Sequence, residues 1–261
     1  MIAMNAFETK WLGKEFYHKE STDSTSLDIK RLADQGSIDG TVVSADMQTA
    51  GKGRRGRTWQ SENGENLLFS ILLRPDMKPD KALQITLLMA LAVTKILRED
   101  YSFDAKIKWP NDVVVNGKKV CGILTEMFLN GSDIDSIIVG TGINVNQTVI
   151  PDELSESATS LLLEKGQSFI REEILNKVLS AFEQYYENFL KEGSLENIVP
   201  QYNEWLVSLN TEVRVLDPKG EYSGIARGIN DGGELLVELS DGTIEIVYAG
   251  EVSVRGLYGY V

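Results

Sequence analysis

Cysteine and histidine are almost missing from this chain: one of each in 261 residues. With Cys121 alone, no intrachain disulfide can form and no cysteine–histidine cluster can hold zinc. A lone thiol suits a reducing cytoplasm, which is the expected compartment. His18 lies ahead of every motif described below, so no histidine is at hand as general base for a serine or cysteine nucleophile. Cations are also scarce. Lys and Arg total 26 against 39 Asp and Glu, a formal charge of -13. That balance excludes the extended basic face a duplex-binding protein needs. No apolar run is long enough to span a bilayer, and the start MIAMNAFETKW lacks the apolar centre of a leader peptide.

The remaining composition is that of an ordinary globule, with 42% apolar and 25% charged residues. Against the acidic background, one stretch is strongly positive. Residues 48–59 read QTAGKGRRGRTW, and no acidic residue occurs between Asp46 and Glu62. Lys52, Arg54, Arg55 and Arg57 alternate with Gly51, Gly53 and Gly56. Clustered like charges repel, and a fold tolerates them best when an anion separates them. Glycines let backbone N–H groups close on that anion. A loop that handles phosphate or carboxylate is the direct inference. Its three glycines make it costly to order, so 50–58 is expected to be mobile alone and closed over a ligand.

Two familiar phosphate motifs do not account for it. Gly51-x-Gly53-x-x-Gly56 has the dinucleotide spacing, and 51–58 approaches a P-loop with Arg57 where lysine is required. Both motifs need a helix to start at the loop, because the helix N-terminus holds the phosphates. Here TWQSENG and then an apolar strand follow.

The surrounding pattern predicts a mixed α/β (α+β) sheet domain. Helices are expected at 24–35, 80–99, 171–190 and 195–205. Leu83, Leu87, Leu88, Leu91 and Ile96 supply the apolar spacing of the second. Strands are expected at 41–45, 66–73 and 136–140, with a pair around Asn116-Gly117, a strong two-residue hairpin turn. After about Asn210 short alternating strands take over, separated by Asp217-Pro218-Lys219-Gly220, Asn230-Asp231-Gly232-Gly233 and Ser240-Asp241-Gly242. They predict a small antiparallel, SH3-like barrel over 210–261, too small for a strong core of its own, leaning on a larger domain at 1–209.

Four more segments carry polar or close-approach chemistry: Asp23-Ser24-Thr25-Ser26 at a helix start, Lys108-Trp109-Pro110-Asn111-Asp112, Lys119-Val120-Cys121-Gly122, and Gly140-Thr141-Gly142-Ile143-Asn144. Together with GKGRRGR they resemble the biotin–protein ligases, from about Ser21 to Arg255. The pair GKGRRGR and KWPND is the specific part. The resemblance implies a class II aminoacyl-tRNA-synthetase-like catalytic domain with a C-terminal SH3-like barrel. It implies two-step chemistry: biotin and ATP, with Mg²⁺, give biotinyl-5′-AMP, and biotin then passes to a lysine of a biotin carboxyl-carrier domain.

Residue roles follow from that resemblance. Arg54 and Lys108 are the expected catalytic cations. Ser24, Thr25, Ser26, Gln48, Gly51, Lys52, Gly53 and Gly122 join them around biotin. Family members commonly carry asparagine where Ser26 stands, and often arginine where Lys52 stands, so charge is kept at 52 but the guanidinium fork is not. Arg54, Arg55, Arg57, Trp59, Asn111, Asn144 and Arg255 are expected at the adenylate, and Asp112 at the metal–phosphate region. Trp59 and Trp109 could equally be core anchors, Cys121 a buried small hydrophobe, and Asp152, Glu153 and Glu156 a solvated loop. A lipoate- or octanoate-handling relative and a sensor without turnover are the competing functions. A homodimer is possible.

Some family members add an N-terminal helix-turn-helix. About twenty residues precede Ser21, too few for that unit, and the expectation is a ligase that binds no operator. A mobility-shift titration at physiological salt is expected to show no sequence-specific duplex binding below micromolar, given the acidic surface.

Overall fold

The computed structural model describes residues 7–59, 64–217, 220–249, 253–256 and 260–261. The segment 60–63 after the glycine loop, the turn residues Pro218 and Lys219, Val252 and the first six residues lie outside them.

A seven-stranded sheet forms the larger part. Its strands are β1 Phe16–Thr22, β2 Val42–Gln48, β3 Leu67–Leu73, β4 Ala105–Lys108, β5 Asp112–Val115, β6 Lys118–Asn130 and β7 Asp133–Ile143. The order is β1-β2-β3-β7-β6-β5-β4. Only β1 and β2 run parallel, joined through helix α1 Thr25–Asp34; every other neighbouring pair is antiparallel.

Strand β3 lies beside the central strand β7 and is buried at every position. Its alternate residues serve two cores, as the two-residue period of a strand requires. Leu67, Phe69, Ile71 and Leu73 join the main core, which includes helix α2 Gln84–Glu99 and helix α4 Arg171–Glu192. Leu72 joins Ile29, Ala33, Val43 and Ile138 in a smaller core under α1. Ser70, on the α1 side, bonds to Thr25 and Ser26 at the start of that helix.

Short elements complete this part: α3 Leu161–Lys165 and α5 Val199–Trp205. The expected helix at 80–99 is a 3₁₀ turn, Pro79–Lys81, followed by α2. Leu83 stands before its first turn and is 48% exposed, so it contributes no core contact of the expected kind. Trp109 and Cys121 are core residues; the Trp109 indole donates to Gly233 O at 3.0 Å, and burial pushes the Cys121 thiol up. The hairpin at Asn116-Gly117 has both residues at positive φ, 49° and 76°, as a two-residue turn of this kind demands.

The second sheet is antiparallel, with order β11-β10-β9-β8-β12. Its strands are β8 Glu212–Asp217, β9 Gly220–Ile229, β10 Leu235–Glu238, β11 Ile244–Val247 and β12 Ser253–Gly256. Among the described residues β11 and β12 are its two edges and do not pair, so these pairings describe a sheet and not a closed barrel. Val213, Val215, Ala226, Leu235 and Val237 add it to the main core.

The first described residues are fastened by one buried carboxylate. Glu183 of α4, 4% exposed, accepts from the backbone N–H of Lys10, Trp11 and Leu12 at 2.7, 3.0 and 3.0 Å. Glu183→Ala leaves three donors to find water. It is expected to cost about 2 kcal/mol and to lower the Tm by roughly 5 °C in a thermal unfolding scan.

Candidate active site

Motifs from across the larger sheet converge on two adjoining cavities. The start of α1 is set by a charge network at its first turn. Arg31 bridges Asp23 and Asp28, and Asp28 also accepts from Lys19 and from the Thr22 hydroxyl. Burial opposes the Asp28 charge, but those donors outweigh it and hold its carboxyl low. Ser24, Thr25 and Ser26 are thereby fixed and buried beside the end of β2. Gln48 Oε1 accepts from the Thr25 amide at 2.8 Å and the Thr25 hydroxyl at 3.0 Å.

The glycine loop folds as a small hairpin. Lys52 bridges Thr58, Gly53 N donates to Arg57 O at 2.7 Å, and Trp59 N donates to Gly51 O at 2.9 Å. Arg55 takes a positive φ of 59° at the tip. Lys52, Arg55 and Arg57 are exposed. Arg54 alone turns inward: it donates to Asn111 Oδ1 and to Ala249 O, each at 2.7 Å. Burial lowers its pKa, yet a guanidinium stays charged.

Trp59 closes the hairpin against the sheet. A Cβ on Gly122 would come within 2.7 Å of its ring, and one on Gly142 within 2.6 Å. These two glycines face each other across β6 and β7. They form a bare floor that any larger residue would destroy. The Trp59 indole N–H is buried without a partner. A buried donor left unpaired costs about 1–3 kcal/mol, so a ligand acceptor at this floor would be rewarded.

Two cavities meet here. The smaller, about 50 Å³, runs from the start of α1 to the glycine floor. All of the expected biotin residues line it except Gly51 and Lys108. The larger, about 240 Å³, is lined by every residue expected at the adenylate, together with Lys108 and Asp112. Gly53, Arg54, Trp59, Asn111 and Lys119 border both and form the waist between them. Among the described residues, six cations and a single carboxylate, Asp112, line the larger cavity.

Lys108 ends β4, and the Trp109–Pro110 turn carries Asn111 and Asp112 to the head of β5. The Lys108 ammonium donates to Val254 O at 3.1 Å. Burial lowers its pKa to about 8; Asp112 opposes that fall, while Arg255, Lys119 and Arg54 deepen it. Asp112 is buried too. Desolvation favours its neutral form, but Lys119 at 2.7 Å, Lys108 and the Tyr260 hydroxyl keep the carboxyl low. Asn111 is a connector, donating to Asp112 Oδ1 at 3.0 Å and to Ile123 O while accepting from Arg54. Asn144 spends its side-chain donor on Thr159 O at 3.0 Å and so pins the strip that walls the larger cavity. That strip includes Ile150, Pro151 and Leu154 beside the acidic run, so the run flanks a cavity rather than only solvent.

Lys119 and Tyr260 have no place among the sequence-derived roles. Lys119 sits in the quoted KVCG segment, and its spacing from the Asn116-Gly117 turn could have shown that it shares a strand face with Asp112. Nothing in the local pattern around Tyr260 marks it.

A polar pocket joined through a cationic waist to a larger cationic cavity defines a protein that brings two anionic small molecules together. Residues 19–144 match the Biotin/lipoate A/B protein ligase family, and residues 208–255 match the Biotin protein ligase C terminal domain. The chain belongs to that family. It is 37% identical over 247 residues to the bifunctional ligase/repressor BirA of Bacillus subtilis, covering 94% of this chain and 75% of that protein. It is 32% identical over 243 residues to the biotin–[acetyl-CoA-carboxylase] ligase of Paracoccus denitrificans, covering 90% of this chain and 98% of that one. Its fold matches the biotin protein ligase from Aquifex aeolicus in complex with biotin and ATP. There the TM-score is 0.81 and the identity 34%, over 93% of this chain and 99% of the other.

The Lys108 shift has a directional consequence. An anion binds the ammonium form, so affinity is held below pH 8 and lost as pH rises through the free-site pKa. A phosphate monoester, whose own charge is constant above pH about 7.5, serves as probe. Its affinity, measured by calorimetry from pH 7 to 10, is expected to fall by up to about tenfold per pH unit above pH 8. Lys108→Arg should flatten that limb.

Proposed function

We propose that this chain is an ATP-dependent biotin–protein ligase whose smaller cavity takes biotin and whose larger one takes the nucleotide. The observation that carries the reading is the waist. A carboxylate in the small cavity and a phosphate in the large one would meet at Arg54 and Lys119, within the field of Lys108. Two anions repel, and cations held in place before the reaction offset that repulsion at no cost of rearrangement.

In the first step a carboxylate oxygen of biotin bonds to the α-phosphorus of ATP. The bond from that phosphorus to the bridging oxygen breaks, and diphosphate leaves. Arg54 and Lys108 balance the charge that builds on the α-phosphate oxygens. In the second step a lysine amine of a biotin carboxyl-carrier domain attacks the acyl carbon. The acyl–oxygen bond breaks and AMP leaves. Lys108 polarises the acyl oxygen during this attack, and the amine gives up its proton. Ser24, Thr25 and Gln48 pair with the ureido ring, whose polar edges need matched partners. Ser26, Gly51, Lys52, Gly53 and Gly122 complete that pocket. Arg55, Arg57, Trp59, Asn111, Asn144 and Arg255 attend the adenylate.

Among the described residues Asp112 is the one carboxylate of the larger cavity, and its oxygens are already engaged by Lys119, Asn111 and Tyr260. That donor set does not suit a resident cation. Mg²⁺ belongs instead to the substrate, carried on the ATP phosphates that Asp112 faces. The same proposal places a catalytic part at 1–209 and an SH3-like barrel at 210–261, supported by the family match at 208–255. It also places the enzyme in the cytoplasm and gives it no operator to bind; pairing into a homodimer is compatible with it.

The direct test supplies biotin, MgATP and a carrier domain. Diphosphate release and a biotinyl mass gain on the carrier lysine are expected; binding with no diphosphate release sinks the proposal. Arg54→Ala should slow adenylate formation by about 10²-fold or more and shorten the retention of biotinyl-5′-AMP, read by filter binding. Undiminished retention removes Arg54 from its role.

A further inference from the structure

Tyr260 is the least expected wall of the larger cavity. It comes from beyond β12, yet it meets three of the groups on which the chemistry depends. Its hydroxyl donates to Asp112 Oδ2. The Lys108 ammonium lies 4.4 Å from its ring centroid, and the Arg255 guanidinium 5.2 Å. The residue is half-buried, and the phenol is held in its neutral, donating form by desolvation and by the adjacent carboxylate.

The arrangement answers a difficulty in the site. Lys108, Lys119, Arg54 and Arg255 line one cavity, where Asp112 is the single carboxylate among the described residues. Lys119 already takes Asp112 Oδ1. Lys108 has a backbone carbonyl for one of its three protons. An aromatic face offers Lys108 and Arg255 a negative surface without adding an anion that would compete with the substrate. The hydroxyl, meanwhile, fixes the rotamer of Asp112 by its second oxygen. A phenylalanine could do the first task but not the second; an aliphatic residue could do neither.

Resting on the ligase reading above, we infer that Tyr260 is a positioning residue of the nucleotide half of the site: its ring aims Lys108 and Arg255 at the phosphates, and its hydroxyl sets Asp112. Tyr260 does not line the small cavity, so biotin binding is outside its reach.

The test compares Tyr260→Phe and Tyr260→Ala with the wild type in the full chain. Three quantities are read: phosphate monoester affinity by calorimetry, biotin affinity by calorimetry, and kcat for diphosphate release from biotin and MgATP. Tyr260→Ala is expected to weaken monoester binding and lower kcat by about tenfold each. Tyr260→Phe should recover most of the monoester affinity and only part of kcat. Biotin affinity should stay within about twofold in both, because a general loss of fold would lower both ligands together. If Tyr260→Ala melts early, Tyr260→Leu keeps the bulk without the ring charge distribution and carries the same expectation. Tighter monoester binding in Tyr260→Ala overturns the inference, since the ring would then be occupying the place of the phosphate. Unchanged affinity and kcat overturn it as well. A wild type that binds both ligands but releases no diphosphate defeats the ligase reading, while the monoester series still decides what Tyr260 does.

Discussion

The repulsion among clustered cations governs this molecule. A chain of net charge -13 concentrates six positive side chains around one cavity and, among the described residues, supplies a single carboxylate to hold them. Such a cluster is uphill, because Lys108 and Arg54 have lost water and have like-charged neighbours. The structure answers with neutral acceptors. Asn111 Oδ1 and the carbonyl oxygens of Ala249 and Val254 each accept a hydrogen bond from a cation, and none of them cancels its charge. These contacts aim the cations at the cavity and add no negative charge of their own.

The sheet makes that aim possible through one irregularity. Between Val113 and Val114 the β5–β6 register shifts, so Asp112 pairs with Gly122 rather than with Cys121. In a strand a one-residue slip exchanges the faces. Without the shift, the side chain opposite Asp112 would be a thiol, and the bare position beneath Trp59 would point the other way. With it, Gly122 joins Gly142 as the floor, and Cys121 turns into the core. Bulges near active sites re-aim side chains in this manner.

Much of this was legible in the residues. The Asn116-Gly117 hairpin, the all-apolar β3 and the helices α1 and α4 follow from turn chemistry and periodicity. The glycine loop and KWPND announced a cationic site. Strand β1 was not legible: Phe16-Tyr17-His18-Lys19-Glu20-Ser21-Thr22 is an edge strand with mostly solvated side chains, so it lacks the alternation that marks a strand. Five-residue α3 is too short for periodicity to appear. The register shift is invisible because it is decided by what packs on both faces. Lys119 was on the page but unassigned. Tyr260 could not be assigned at all, since its partners lie 148 positions away or are reached only once the second sheet is docked.

Docking of the second sheet is for that reason a chemical event as well as a packing one. Its cost and gain are shared with the first part through Val213, Val215, Leu235 and Val237 in a common core. The same contact delivers Ala249 O to Arg54, Val254 O to Lys108, and Arg255 and Tyr260 to the larger cavity. Removing that sheet would leave the two central cations without their carbonyl acceptors and free to adopt many rotamers. A catalytic cation that must first be ordered contributes less to the transition state than one already in place. The small second sheet thus acts where the repulsion is greatest, and the hydrophobic burial that holds it there is what keeps a hostile cluster of charges pointed at one spot.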